Sequence, residues 1–237
     1  MVADDELGFG MDDNNDDNGD ANAASGDNSD KVSDLNADLA DGEILVFVGK
    51  CRKKQDEYYG ANLPMVKTQS IIPMSPKDLA DLLLDSSRVK VYNKMSVGRV
   101  DIRSIPSPLG FTKIVSNLTQ PPIGKKKIMS TTLMHSRQLN DNGTYLVVSR
   151  AVPLPDSGKD SDKEGDGDND HGKSEILLGV NLLEPASPDD PNSCRATCVT
   201  HVYAPQLPSV LAKGVGVKSA INFIQDIRSI CSNSKKP

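Results

Sequence analysis

The sequence predicts an α+β domain in which a curved antiparallel β-sheet of about seven strands wraps around a long C-terminal α-helix. Three observations carry that expectation. Strand-like segments follow one another through short turns with no helix between them, which suits antiparallel pairing. A short helical stretch stands before most of those strands. One amphipathic segment, 208–231, closes the chain.

The elements follow in order. Residues 1–42 carry a net charge of −12 and almost no large apolar side chains. Such a segment cannot bury enough surface to offset its ordering entropy, so an acidic disordered tail is expected there. The ordered domain is expected over 43–237. It begins with the apolar run Ile44-Leu45-Val46-Phe47-Val48 and the basic cluster Lys50, Arg52, Lys53 and Lys54. Residues 63–72 read as a strand. Ser75-Pro76-Lys77-Asp78 is a helix start: Ser75 caps, Pro76 suits the first turn, and Asp78 suits the positive helix end. That helix runs to about Leu84, and Asp85-Ser86-Ser87 starts a second one through Tyr92. Strands are predicted at 98–105, 109–118, 127–138, 144–152, 175–183 and 194–203. Asn140-Asp141-Asn142-Gly143 marks a hairpin. In the last helix, Val210, Val217, Ala220, Ile221, Ile224, Ile227 and Cys231 recur at spacings of three and four.

Charge and composition exclude several classes. The net charge is −6, but the tail holds −12 and residues 156–175 hold −5, which leaves +11 on the rest. A basic body with two acidic appendages results, the second expected as a disordered insertion over 155–174. No apolar run of membrane-spanning length occurs. The amino-terminal residues lack the basic and apolar regions of a signal peptide, so a cytoplasmic location is expected. The sequons at Asn117 and Asn142 would then go unused. Four cysteines make no disulfide framework. Cys194 and Cys198, roughly 13 Å apart along one strand, could share neither a bridge nor a metal. Aromatic residues are 4% of the chain and do not interleave with the basic runs, which argues against nucleic acid.

Several spaced segments over 63–231 resemble the START family, the lipid-binding helix-grip module. "SPKDLADLLLDSSRVKVYNKM" resembles its early helix and the aromatic-polar turn after it, with Tyr92-Asn93 in the place of Trp-Asn. "GTYLVVSRAVP" (143–153) and "KSEILLGVNLLEP" (173–185) resemble two of its strands, with Glu175 retained and Lys173 in an Arg position. "CRATCVTHVYAPQLPSVLAKGVGVKSAINFIQDIRSI" resembles its last strand and closing helix. The chain departs from the pattern in four ways, one being that the family's N-terminal helix is not evident over 1–42. No Asp stands near Lys126-Lys127, Pro205-Gln206 replaces a Gly, and there is no Trp.

The resemblance implies a hydrophobic cavity between sheet and last helix holding one lipid or sterol; a monomer without cofactor or metal is expected. Mixed small and hydroxyl side chains along 127–138 and 194–203 agree with a cavity, and equally with a sheet of mixed environments. The candidate ligand-lining residues are Val100, Ile102, Ile114, Met134, Val148, Leu178, Val180, Cys198 and Thr200 from the strands, with Phe223 and Ile224 from the helix. A one-residue register change reverses every strand face.

Other motifs admit two readings each. Gly214 and Gly216 either soften a lid or allow close helix packing. The clusters Lys50/Arg52/Lys53/Lys54, Lys125/Lys126/Lys127 and Lys235/Lys236 are ordinary solvated loops or transient contacts with an anionic membrane. Asp160, Asp162, Glu164 and Gly165 mimic the start of a calcium loop, but His171 stands where a bidentate Glu is required. Candidates for cavity catalysis are His135, His201, Asp101, Glu175 and Cys198. No spacing supplies an activated nucleophile, so no enzyme is expected. Asp101, between Arg99 and Arg103 on one strand, reads as a solvated ion-pair ladder if outward and as a head-group site if inward. Besides a carrier, a lipid sensor or protein-interaction module fits the same sequence.

Overall fold

The structure is a computed structural model that describes residues 39–40, 42–50, 60, 63–120, 127–152, 172–204 and 209–233. The chain divides into two units, Met1–Asp38 and Leu39–Pro237, and every described residue belongs to the second. Arg52, Lys53, Lys54, Lys125, Lys126, Lys235, Lys236, the calcium-loop mimic and the Pro205-Gln206 lead-in lie outside the described residues.

The strands are β1 (Ile44–Gly49), β2 (Met65–Ile72), β3 (Ser96–Ser107), β4 (Gly110–Thr119), β5 (Ile128–Gln138), β6 (Tyr145–Ala151), β7 (Gly172–Lys173), β8 (Glu175–Ser187) and β9 (Asp190–Tyr203). The helices are α1 (Pro76–Leu84), α2 (Val89–Tyr92) and α3 (Ser209–Asn233), with a 3-10 turn at Ser86–Arg88. The strands form one sheet in the order β1-β2-β9-β8-β6-β5-β4-β3, antiparallel throughout, and two-residue β7 pairs in parallel with β5. The sheet therefore exceeds the expected seven strands by β1 and β7. β7 has two residues, and β1 is a continuous apolar run without period-two alternation.

Local chemistry sets the boundaries. Ser75 Oγ accepts from the Asp78 amide at 3.1 Å, and Pro76 occupies the first turn. Asp85 repeats the device, its carboxylate accepting from the Ser87 amide at 2.9 Å. At the β5–β6 hairpin Gly143 takes φ +79°, and Asn140 Oδ1 accepts from the Thr144 amide at 3.1 Å. Strands β8 and β9 run on to Ser187 and from Asp190, through Pro185 and Pro191. Both strands are longer than the expected strands at 175–183 and 194–203. The register shift between Pro185 and Ser187 accommodates one of the prolines at the strand's end.

Residues paired across strands share a face, so the register identifies the two sides. One row runs Thr68, Cys198, Asn181, Val147, Ser136 and Phe111. The next runs Val66, Thr200, Gly179, Ser149, Met134 and Lys113. This inner face bears the helices. Ile72, Cys194, Ala196, Cys198, Val147 and Leu183 form one buried cluster with Leu79, Leu82 and Leu83 of α1, Val89 and Tyr92 of α2, and Ile224, Ile227 and Cys231 of α3. Arg228 fixes α3 to the sheet edge. Its guanidinium donates to the Ile71, Gly42 and Glu43 carbonyls and to Ser70 Oγ, at 2.6–3.0 Å.

Candidate functional site

The inner face changes character across the sheet. Under α1 and α3 it is mainly apolar and buried, with Thr68 and Ser70 as its buried polar members. Towards β3, β4 and β5 it becomes polar. The Lys113 side chain is only 3% exposed, and its ammonium donates to Asp101 Oδ1 at 2.8 Å and to Ser86 Oγ at 2.9 Å. Ser86 Oγ in turn donates to Asp101. Beside this pair, Arg99 donates to the Leu83 carbonyl at 2.8 Å and to Asn117 Oδ1 at 3.1 Å. Asn117 then donates to Thr132 Oγ1 at 3.2 Å. Asp101 keeps 44% of its side chain exposed. Partial burial opposes its ionisation, but hydrogen bonds from Lys113 and Ser86, with the Lys113 and Arg99 charges, hold its carboxyl below the ordinary value. Burial raises the neighbouring Tyr92 phenol, and Arg99 offsets part of that rise.

Apolar residues accompany the network. Val66, Val115, Ile128 and Met134 are buried on the same face, yet none belongs to the packed cluster around α1 and α3. Phe223 of α3 meets Tyr92 edge-to-face, ring centroids 6.0 Å apart. An open groove of about 490 Å³ runs along α3 beside Lys213, Gly214, Val217, Lys218, Ile221 and Asn222. Among the described residues its lining comes from α3 alone, and four of the six are exposed.

No family model matches the sequence, and no curated protein matches it. Solved structures do match. Human StAR-related lipid transfer protein 5 superposes with a TM-score of 0.61 over 87% of this chain and 93% of that one, at 15% identity. Human STARD10 gives 0.60 over 81% and 71%, at 16% identity. The lipid transfer and protein localization domain of human StarD13 (DLC2) gives 0.59 over 84% and 88%, at 13% identity. The fold is the START helix-grip fold. At such identities the likeness concerns the fold alone.

Within this START-like frame the expected ligand-lining residues separate. Met134, Cys198 and Thr200 stand on the inner face, Met134 and Cys198 buried and Thr200 exposed. Ile224 is fully buried in the core cluster, and Phe223 packs against it. Val100, Ile114, Val148, Leu178 and Val180 stand on the outer face, away from the helices. Ile102 is the extra residue of a bulge between Asp101 and Arg103 and is exposed. The expectation that these six face α3 is thereby corrected. The physical reason is a reversal of patterning. In this half of the sheet many aliphatic residues point outward, while Ser, Thr, Gly, Asn and Lys share the inner face with Val115, Ile128, Met134 and Val147, so choosing the more apolar face selects the wrong side.

The same bulge corrects the reading of Asp101 as part of an outward ladder. It turns Arg103 to the outer face and leaves Arg99 and Asp101 inside, where Asp101 pairs with Lys113. Sequence reasoning passed over Lys113 altogether. The available signal was a lone charge at even spacing from Val115 and Asn117, residues of a half-apolar strand.

The candidates for catalysis are dispersed. His135 lies on the outer face with Nδ1 2.8 Å from Thr112 Oγ1. His201 is buried, its Nε2 3.0 Å from the Gly60 carbonyl. Glu175 is exposed. Burial pushes the Cys198 thiol up to about 12 against an opposing hydrogen bond with Thr68, and burial also raises Cys194, so both are thiols at neutral pH. Among the described residues no three His, Cys, Asp or Glu side chains gather as metal ligands. No helix among them is long and apolar enough to cross a membrane.

Proposed function

We propose that the chain binds one amphiphilic lipid or sterol on the inner face of the sheet, with its polar end at the Arg99–Asp101–Lys113 network. The network itself carries this reading. A sheet face that serves only to pack helices is best made apolar. A buried ammonium is costly, and replacing such an ion pair with apolar residues is often neutral or stabilising. Polar groups in that position suit a ligand with a polar end, and the separately buried Val66, Val115, Ile128 and Met134 offer an apolar wall for its remainder. The START-like fold supports the same reading. So do the names of two structures it resembles, StAR-related lipid transfer protein 5 and the lipid transfer and protein localization domain of StarD13.

The chain is read as a monomeric, non-enzymatic, cytoplasmic lipid binder that recognises no nucleic acid. It has no cofactor, and its membrane contacts are transient ones through lysine-rich loops. Transfer and sensing divide on one assay. Vesicles loaded with a fluorescent lipid are mixed with protein and with unlabelled acceptor vesicles. A carrier speeds appearance of the label in acceptors, whereas a sensor retains it stoichiometrically. Lys113→Met should weaken retention by at least about fivefold, on the scale of one charge-assisted hydrogen bond. Retention unchanged by Lys113→Met and by Asn117→Leu would remove the network from the site.

A further inference from the structure

We infer that the outer face of β3–β6, led by the β3–β4 hairpin, is a docking surface for an anionic lipid bilayer. Strands that face solvent on one side ordinarily turn polar residues outward. Here the order is reversed. Leu109 at the hairpin tip is 72% exposed, Val100 67% and Ile102 51%, the three highest values among the described large hydrophobics. Ile105 of the same hairpin is exposed as well, so four of the twelve such residues lie on this face or at its tip. All three helices pack on the opposite face. Concentration of exposed apolar surface in one element marks an interaction site.

Charge selects the occupant. The outward positions of β3, β4, β5 and β6 include Arg103, Arg137 and Arg150 and no Asp or Glu. The β5–β6 turn adds one carboxylate, Asp141. Asp101, the acidic residue nearest in β3, points inward and is paired with Lys113. An apolar tip above a collar of arginines suits a negatively charged lipid surface, where each arginine strengthens binding by about fivefold. Strand addition by a second chain suits the edge less well. β3 is an edge strand, but the bulge at Ile102 and Pro106 interrupt its free hydrogen-bonding groups. A protruding turn also offers a wedge and not the roughly 800 Å² per partner of a stable protein interface. This surface is separate from the inner site, and its occupancy does not depend on whether a lipid is bound there.

The chain has no Trp, so Leu109→Trp places a single emitter at the tip. Full-length protein is titrated with vesicles of phosphatidylcholine alone and of phosphatidylcholine with phosphatidylserine. The expected result is a blue shift and quenching by bromolipids with the anionic vesicles only, weakened by salt. Arg103→Glu with Arg137→Glu in the same background should reduce vesicle affinity at least tenfold, with circular dichroism and melting unchanged. Emission that stays unshifted on anionic vesicles overturns the proposal, as does a charge-reversed variant that binds equally well. Emission already blue without lipid, and dependent on protein concentration, would assign the face to a second copy of the chain and also overturn it. Should charge reversal unfold the protein, Arg103→Gln with Arg137→Gln gives the same comparison at smaller amplitude, about tenfold or less.

Discussion

Lys113 and Asp101 make a pair whose members are unequally buried. The ammonium is enclosed, while nearly half of the carboxylate side chain meets solvent. Removing Asp101 strands a buried charge, whereas removing Lys113 leaves a carboxylate that water can still reach. Asp101→Ala should therefore destabilise by about 1–3 kcal/mol, the range reduced for the exposure of Asp101, and Lys113→Met by less than about 1 kcal/mol. Urea unfolding of both variants and the double variant checks the order. The pH dependence has a fixed sign. Because Asp101 is held below its unfolded value, its contribution is present above pH ~4 and is lost as pH falls through the lower folded value. Lys113→Met should flatten that acid limb, and an unchanged limb would assign the acid sensitivity elsewhere. None of this was legible from residue types, because Asp101 sits between two arginines in sequence and pairs with neither. A bulge decided the matter, and no local residue pattern announced it.

At the scale of elements, α3 is held unevenly. Its C-terminal half contributes Ile224, Ile227 and Cys231 to the core and clasps β1 and β2 through Arg228. Its N-terminal half contains Gly214, whose missing Cβ would meet open space, and Gly216, whose Cβ would stand 3.4 Å from Val66 Cγ2. Gly214→Ala should raise stability by up to about 1 kcal/mol, since helix propensity improves without a clash. Gly216→Ala gains the same propensity against a neighbour at van der Waals contact, so a smaller gain is expected. Thermal melts of the two variants distinguish propensity from packing. If both stabilise while lipid exchange slows, the pair acts as a softened lid; if exchange is unaffected, the glycines have no such role. Arg228→Ala should cost about 2–4 kcal/mol, because several charge-assisted hydrogen bonds to otherwise unpaired backbone carbonyls disappear together. Arg228→Lys should recover only part, since an ammonium lacks the planar fork. The elements themselves were largely readable. Ser75-Pro76, Asp85-Ser86-Ser87, Asn142-Gly143 and the three-four spacing in α3 are local signals, and the structure places helices and turns on them.

For the molecule as a whole, order of elements was more legible than orientation of faces. A short helical pair, an antiparallel sheet and a closing helix follow from turn chemistry and periodicity. Which side of each strand meets the helices does not, because Val100, Ile114, Val148 and Val180 are as apolar as core residues and yet point outward. The two surfaces proposed above rest on that reversal, a polar-apolar inner site and an apolar-basic outer face. The two are separable, since the inner network and the hairpin tip share no residue. The account rests most on the inner site holding a lipid. Native mass spectrometry of the purified full-length chain, followed by organic extraction, tests that directly. The account predicts a stoichiometric mass increment that extracts as a lipid or sterol and falls in Lys113→Met. A mass equal to that of the bare chain, unchanged after incubation with mixed lipids and sterols, would contradict it.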